Sequence, residues 1–496
     1  MNRWWLIMAF LWLFPMEIYC QIDTTDITQP SSPTGFLRQR REQFDHFEQE
    51  ARRKYRSIQD SLNQLYAQEL AKEWKRYELH EGYKLEREKD SLGTQPDTIR
   101  GGNPNEGCIH ESSGKHKMRS LLIPPPKQMA LMESTNFIFL DTRYDCFLPK
   151  SYLDIRLNGV KDNAVSHFWS QMNCMGAEWF VEQCQHYKEQ LQLNDWGVFD
   201  FVRKFFAQQF PNQYDAQTIM TIFVLNQLGI KAKVGRINQQ LVCLFAIDAT
   251  VYGGVPFHEE KGARYYAFSL NPSVHPKGGA AIEVVEADFT LAERHADMRI
   301  KEPMRIAVDT LYWRGRLDED SILIAYNKNV TDFYREYPCV DLQVYLNASH
   351  DPIWEEYLGK ALVPILAGSS NQVGKVGKLM KLIRSNFKYD SDYTLFNSDK
   401  FLFCEENFLY GVNDCEDRSV LLAYLVHRFL GLDVVLLTYP KHVVVAVNFT
   451  ENVKENSHTV SHNGKKYVIC DPSNRGAVGD LDDKYLKEKP EIIEMK

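Results

Sequence analysis

The 496-residue chain is short of several things, and each shortage excludes a class of function. Its 10 cysteines contain no Cys-x-x-Cys pair, so neither a zinc ribbon nor a thioredoxin-like redox site is supported. Basic charge is not in excess: 58 Lys and Arg face 66 Asp and Glu, a net charge of −8. The electrostatic footprint of a nucleic-acid binder is therefore missing. After residue 20 no apolar run approaches the length of a membrane span. Gly374-Lys375-Val376-Gly377-Lys378 lacks the leading glycine and the Lys-Ser/Thr ending of a phosphate loop, and is expected to open a helix over 379–387. A hydrophobic share of 44% nonetheless permits real cores.

What is present begins at the N-terminus. One cation, Arg3, precedes an apolar run from Trp4 to Phe14, which Pro15 breaks. That run suits the core of a signal peptide over 1–20, and cleavage after Cys20 predicts an exported protein, periplasmic or secreted, with no membrane span afterwards. Lipid anchoring at Cys20 is the alternative, disfavoured by the bulky Tyr19. Residues 21–35 read as a polar linker. Over 36–90 charges alternate around a stripe that includes Phe44, Phe47, Ala51, Tyr55, Ile58, Leu62 and Leu65, which predicts one long amphipathic charged helix. Its irregular, aromatic stripe favours packing on its own protein over a coiled coil. Residues 91–127, with Gly101, Gly102 and Pro124 to Pro126, form a second linker. The nine cysteines that remain after cleavage are odd in number, so at least one free thiol is expected.

Beyond this, segments 128–310 and 311–496 carry the same ordered landmarks, which predicts a duplicated α+β unit. Leu153-Asp154-Ile155-Arg156-Leu157 ahead of Trp169 is matched by Val340-Asp341-Leu342-Gln343-Val344 ahead of Trp354. An amphipathic helix at 199–206 is echoed at 379–387. A buried helix then ends at Leu228-Gly229 in one half and Leu430-Gly431 in the other, glycine supplying a left-handed cap. Strand-like runs follow at 241–247 and 265–270, and at 443–447 and 466–470. Val242 and Asn271 lie 29 residues apart, as do His442 and Asp471, so one hairpin register is expected twice.

The second half holds the chemistry. Gly411-Val412-Asn413-Asp414 runs into an apolar helix with Cys415 in its first turn. The helix dipole and its free N–H groups favour a thiolate there, and the same donors suit a developing oxyanion. Asp414, Glu416 and Asp417 oppose the thiolate, so an imidazolium must lie nearby. Pairing Asn448 with Lys465 in one antiparallel hairpin sets His442 opposite Asp471, with side chains about 5 Å apart. A carboxylate so placed orients an imidazole. Singly these are a buried cysteine, a strand-edge histidine and a turn aspartate; in this order they are what nucleophilic acyl transfer requires.

The Asp-Cys-Glu-Asp helix start, the strand led by His442 and the Tyr467-Val468-Ile469-Cys470-Asp471-Pro472 strand end resemble the transglutaminase-like (papain-like) cysteine enzyme superfamily. The resemblance implies an α+β core with the nucleophile's helix packed on an antiparallel sheet. It implies Cys415 as nucleophile, His442 as base and acid, and Asp471 as orienter, acting on a peptide or protein substrate, cell-wall peptide among them. Peptidase or amidase activity is implied ahead of cross-linking, with no metal or organic cofactor. Asn407, Tyr410 and Asn413 are the oxyanion candidates, and Asp417 is read as a helix-start residue. In the first half Gln213 stands where Cys415 does (Tyr214 or Asp215 with a small shift), Val242 replaces His442 and Asn271 replaces Asp471. None of these generates a thiolate, so that half is expected to be a degenerate copy, and it lacks a counterpart of 394–410.

The alternative is a non-catalytic binding or scaffold protein made of two such pseudo-enzyme halves. His258-Glu259-Glu260 is read as hairpin loop, and His458 and His462 as part of a polar loop over 451–465, in preference to metal sites.

Overall fold

The computed structural model describes residues 129–285, 292–396 and 398–495. The expected signal peptide, both linkers and the charged helix lie outside them, as do Cys20 and Cys108. The described chain is mixed α+β.

It opens on a hairpin, β1 (Met132–Phe139) and β2 (Thr142–Pro149), turned by Leu140 and Asp141 at positive φ. Four helices follow: α1 (Asp162–Met172), α2 (Ala177–Gln190), α3 (Asp195–Gln209) and α4 (Tyr214–Gln227). Asn194 caps α3 by accepting from the Gly197 N–H. Phe199, Phe201, Phe205 and Phe206 of α3 are all buried. A five-stranded antiparallel sheet comes next, formed by β3 (Ala232–Ile237), β4 (Gln240–Ala246), β5 (Phe257–Glu260), β6 (Ala263–Phe268) and β7 (Glu283–Val284). Its spatial order is β5-β6-β4-β3-β7.

The plan then recurs. Hairpin β8 (Thr310–Leu317) and β9 (Asp320–Asn327) leads into α5 (Lys328–Arg335), α6 (Leu342–Leu346), α7 (Pro352–Ala367) and α8 (Gln372–Asn386). Asn371 caps α8 through the Gly374 N–H as Asn194 caps α3, and Gly374 to Lys378 form its first turns. A segment without a first-half counterpart intervenes: β10 (Lys388–Tyr389), α9 (Asp392–Phe396), α10 (Cys404–Tyr410) and β11 (Val412–Asn413). Helix α11 (Cys415–Leu430) ends on Gly431 at φ 64°, a left-handed cap that glycine takes without strain. The last strands are β12 (Asp433–Tyr439), β13 (His442–Asn448), β14 (Thr459–His462), β15 (Lys465–Cys470) and β16 (Glu491–Glu494), in the order β14-β15-β13-β12-β16. The two sheets thus share one strand order.

One apolar core runs through both halves, from Phe199 and Phe223 to Leu421 and Val445. Fully buried Leu422 and Leu425 on α11 each contribute about 1.5–3 kcal/mol by leaving water. Smaller clusters cover the other face of each sheet, around Val242 and Tyr265 and around Val444 and Ile469.

Three sequence expectations are corrected. First, β13 and β15 are not a hairpin: Val445 pairs with Cys470 and Val447 with Val468, two residues away from the expected register. The tight hairpin is β14–β15, turned by Asn463-Gly464 with both residues at positive φ. Asn-Gly is a strong hairpin signal, and it turns Thr459–His462 of the supposed polar loop into a strand. In the same way His258 to Glu260 lie in β5, before the turn Lys261-Gly262. Second, hairpin β3–β4 closes on Ile237 and Gln240 as β12–β13 closes on Tyr439 and His442. Cys243 pairs with Phe268 as Val445 pairs with Cys470. The positions matching Cys415, His442 and Asp471 are therefore Gln213, Gln240 and Ser269, each 202 residues earlier, not Val242 and Asn271. Third, the motif at 153–157 follows a 3₁₀ turn (Lys150–Leu153), whereas its supposed match at 340–344 enters helix α6.

Candidate active site

The site is built where α11 starts and β13 starts. Asp414 is the N-cap of α11, and the Asp417 carboxylate accepts from the Asp414 N–H at 3.4 Å. The other oxygen of Asp417 accepts from the Leu402 N–H at 2.8 Å, which pins the preceding loop to the helix. Asp417 is thus a helix-start residue, as its position suggested.

Cys415 is the first residue of α11 and is buried. β15 pairs with β13 only as far as Val445, so the edge of β13 at 442–444 is left open to the helix. Cys415 and Ser419, one turn apart on one face of α11, fill that edge. The Ser419 hydroxyl donates to the Val443 carbonyl at 2.9 Å, and the Val443 N–H reaches the Cys415 sulfur. The nucleophile candidate is therefore fixed beside the residue that follows His442.

His442 and Asp471 are both buried and meet directly, Nε2 to Oδ2 at 2.9 Å. The other Asp471 oxygen accepts from the Ser473 and Asn474 N–H groups, at 2.8 and 3.2 Å. The imidazole stacks on Tyr485, with ring centroids 4.7 Å apart and planes 18° apart. With Nε2 committed to the carboxylate, the nitrogen left for chemistry is Nδ1, the one nearer the backbone of 442–443. The turn ahead of His442 is strained, since Lys441 sits at φ 63° without being glycine.

The thiol is held protonated. Burial pushes its pKa up, and the Glu416 carboxylate, which accepts from the sulfur at 2.8 Å, pushes it further, with Asp414 adding to both. Carboxylates crowd this corner: oxygens of Asp392, Asp414 and Asp417 lie within 4.8 Å of one another. Burial, then Asp417, Glu416 and Asp392, raise the Asp414 pKa to about 10, and burial above all raises that of Asp392 to about 6. A carboxyl raised as far as that of Asp414 holds its proton at neutral pH.

Two of the three oxyanion candidates are already hydrogen-bonded to other groups. Asn407 and Asn413 lie in a buried network: the Asn413 amide donates to the Asn407 oxygen at 2.7 Å, and Asn413 accepts from Arg418 Nε at 2.7 Å. Asn407 spends its N–H groups on the Phe403 and Cys404 carbonyls. The Tyr410 ring meets Phe396 edge-on at 5.0 Å, and its hydroxyl is buried without a hydrogen-bond partner among the described residues. The hydroxyl that lies near the sulfur belongs to Tyr389, which sequence reasoning missed. Parallel pairing of β10 with β11 sets Tyr389 level with Asn413, and Arg418 lies 5.0 Å from its ring centre. A two-residue strand leaves no periodicity from which to read that placement.

Comparison with family models, with curated proteins and with solved structures finds no match to this chain.

Proposed function

We propose that this is an exported cysteine-dependent amide-bond enzyme, a peptidase or amidase built on a transglutaminase-like α+β unit that arose by duplication. One observation carries the reading: the buried His442–Asp471 contact of 2.9 Å opens the same strand whose next residue, Val443, lies against Cys415 and its neighbour one turn on, Ser419. The common strand order of the two sheets and the uniform spacing of their matching positions support duplication. In the first half Gln213, Gln240 and Ser269 supply neither a thiol nor an imidazole, which suits a packing or recognition role.

The chemistry follows from the groups present. His442 Nδ1 takes the Cys415 proton, and the thiolate attacks the amide carbon. The C–N bond breaks as the imidazolium protonates the departing amine, leaving a thioester. Water adds to the thioester with His442 as base, releasing a carboxylate and restoring the thiol. Asp471 keeps the ring oriented and stabilises its cationic form.

A non-catalytic binding role is the second reading, and the observation favouring it is the protonated thiol bonded to Glu416. A thiol-directed activity probe separates the two. Labelling that falls sharply in both Cys415→Ala and His442→Ala supports the enzyme. Equal labelling of the parent and His442→Ala would show that the imidazole does not activate the sulfur.

A further inference from the structure

We propose that the groove between α8 and the loops at 450–458 and 474–479 binds an acidic peptide segment bearing apolar side chains. The groove is a cavity of about 550 Å³ whose charged lining is entirely cationic: Lys381, Arg384, Lys454 and Arg475. Met380, Val453 and Val478 give it apolar walls. A second cavity of about 740 Å³ shares Lys381 and Ser385 with it and adds Arg314 and Arg316, against the single acid Asp318. On a chain of net charge −8, composition does not account for six cations around two adjoining cavities.

Five of these six cations form no ion pair among the described residues. Among the described residues Lys381 pairs with Asp318, whereas Arg314, Arg316, Arg384, Lys454 and Arg475 form no ion pair. Arg384 is the informative one. It is half-buried, and its guanidinium donates only to carbonyls: Gly476 at 2.9 Å, Met380 at 3.2 Å, and Asn474. Burial pushes its pKa down, with only the more distant charge of Asp471 opposing. A half-buried cation held by neutral oxygens is stabilised by an incoming carboxylate.

The shape selects a peptide over a compact anion. The α8 residues that line the trough run from Val373 to Ser385, roughly 18 Å along a helix, the span of about five extended residues. Apolar walls beside the cations suit a strand in which acidic and apolar side chains alternate. The site stands apart from the catalytic reading, since nothing in it requires Cys415 to react.

The test is fluorescence anisotropy on the full chain carrying Cys415→Ala, so that turnover cannot consume the probe. The probes are a labelled six-residue peptide of alternating Glu and Leu, and its Gln counterpart. The Glu peptide is expected to bind at least about tenfold more tightly than the Gln peptide at low salt, with the advantage shrinking as salt rises. The exposed pair Lys454→Glu with Arg475→Glu should erase that advantage while circular dichroism stays unchanged. Should that variant misfold, Arg314→Glu with Arg316→Glu, on a different element, gives the same readout. Equal binding of the two peptides, or an advantage that survives charge reversal, overturns the proposal. So does a result in which polyphosphate or anionic phosphatidylglycerol vesicles bind and the Glu peptide does not.

Discussion

His442 Nε2 and Asp471 Oδ2 meet at 2.9 Å although the β13–β15 register, continued one residue past its last pair Val445–Cys470, would set Asp471 level with Val444, so theirs is a diagonal contact across two strands. The diagonal works because an imidazole is long enough to bridge it and because two backbone N–H groups hold the other carboxylate oxygen still.

Replacing that carboxylate without changing its shape tests its role. Asp471→Asn keeps the bonds to Ser473 and Asn474 but presents a neutral group to His442. On an amide substrate kcat should fall by about 10²- to 10⁴-fold with KM little altered, as for other oriented imidazoles. A loss below about threefold would make Asp471 only a turn residue.

Glu416 offers the opposite test. Burial raises the thiol pKa first, and the Glu416 carboxylate bonded to the sulfur is the next cause. Glu416→Gln should lower the thiol pKa, since the paired charge is removed. Iodoacetamide alkylation of Cys415 at pH 7 should then speed up severalfold. A rate that stays at the parent value would mean that burial alone sets the thiol's acidity.

The Tyr389 hydroxyl lies near the sulfur, and the residue is 52% exposed, where substrate can reach it. Tyr389→Phe should cost about 10- to 10²-fold in kcat, less than the loss of a buried oxyanion donor, while the melting temperature is unchanged. If melting falls with activity, the hydroxyl acts on the fold and not on the reaction.

How far this site was legible follows from the kind of signal each residue left. Cys415, His442 and Asp471 stand at the ends of a 16-residue helix and of apolar strands, where period and punctuation are plain. Their register was misread by two because the Asn463-Gly464 turn went unused, and a polar strand such as β14 shows no apolar alternation. Hairpins β1–β2 and β8–β9 were missed for a related reason: their turns are Leu140-Asp141 and Asp318-Glu319, without glycine. The carboxylate crowding around Asp414 joins Asp392 to residues more than 20 positions away, a contact that no local pattern announces.

That crowding makes a prediction about pH. The folded-state pKa of Asp414, raised to about 10 by burial and by Asp417, Glu416 and Asp392, lies far above the ordinary carboxylate value of about 3.9. Between those two values the folded chain keeps a proton that the unfolded chain has lost, so stability falls as pH rises across this window. Asp392, raised to about 6, adds the same slope between roughly pH 4 and 6. Asp414→Asn removes the titrating group and leaves at the N-cap a residue type that favours that position. The variant should gain at least about 1 kcal/mol at pH 8 and melt with a flatter dependence on pH than the parent from pH 5 to 9. Parallel melting curves for the two proteins across that range would show that Asp414 ionises freely in the fold, and that the crowding is relieved by water instead of by protons.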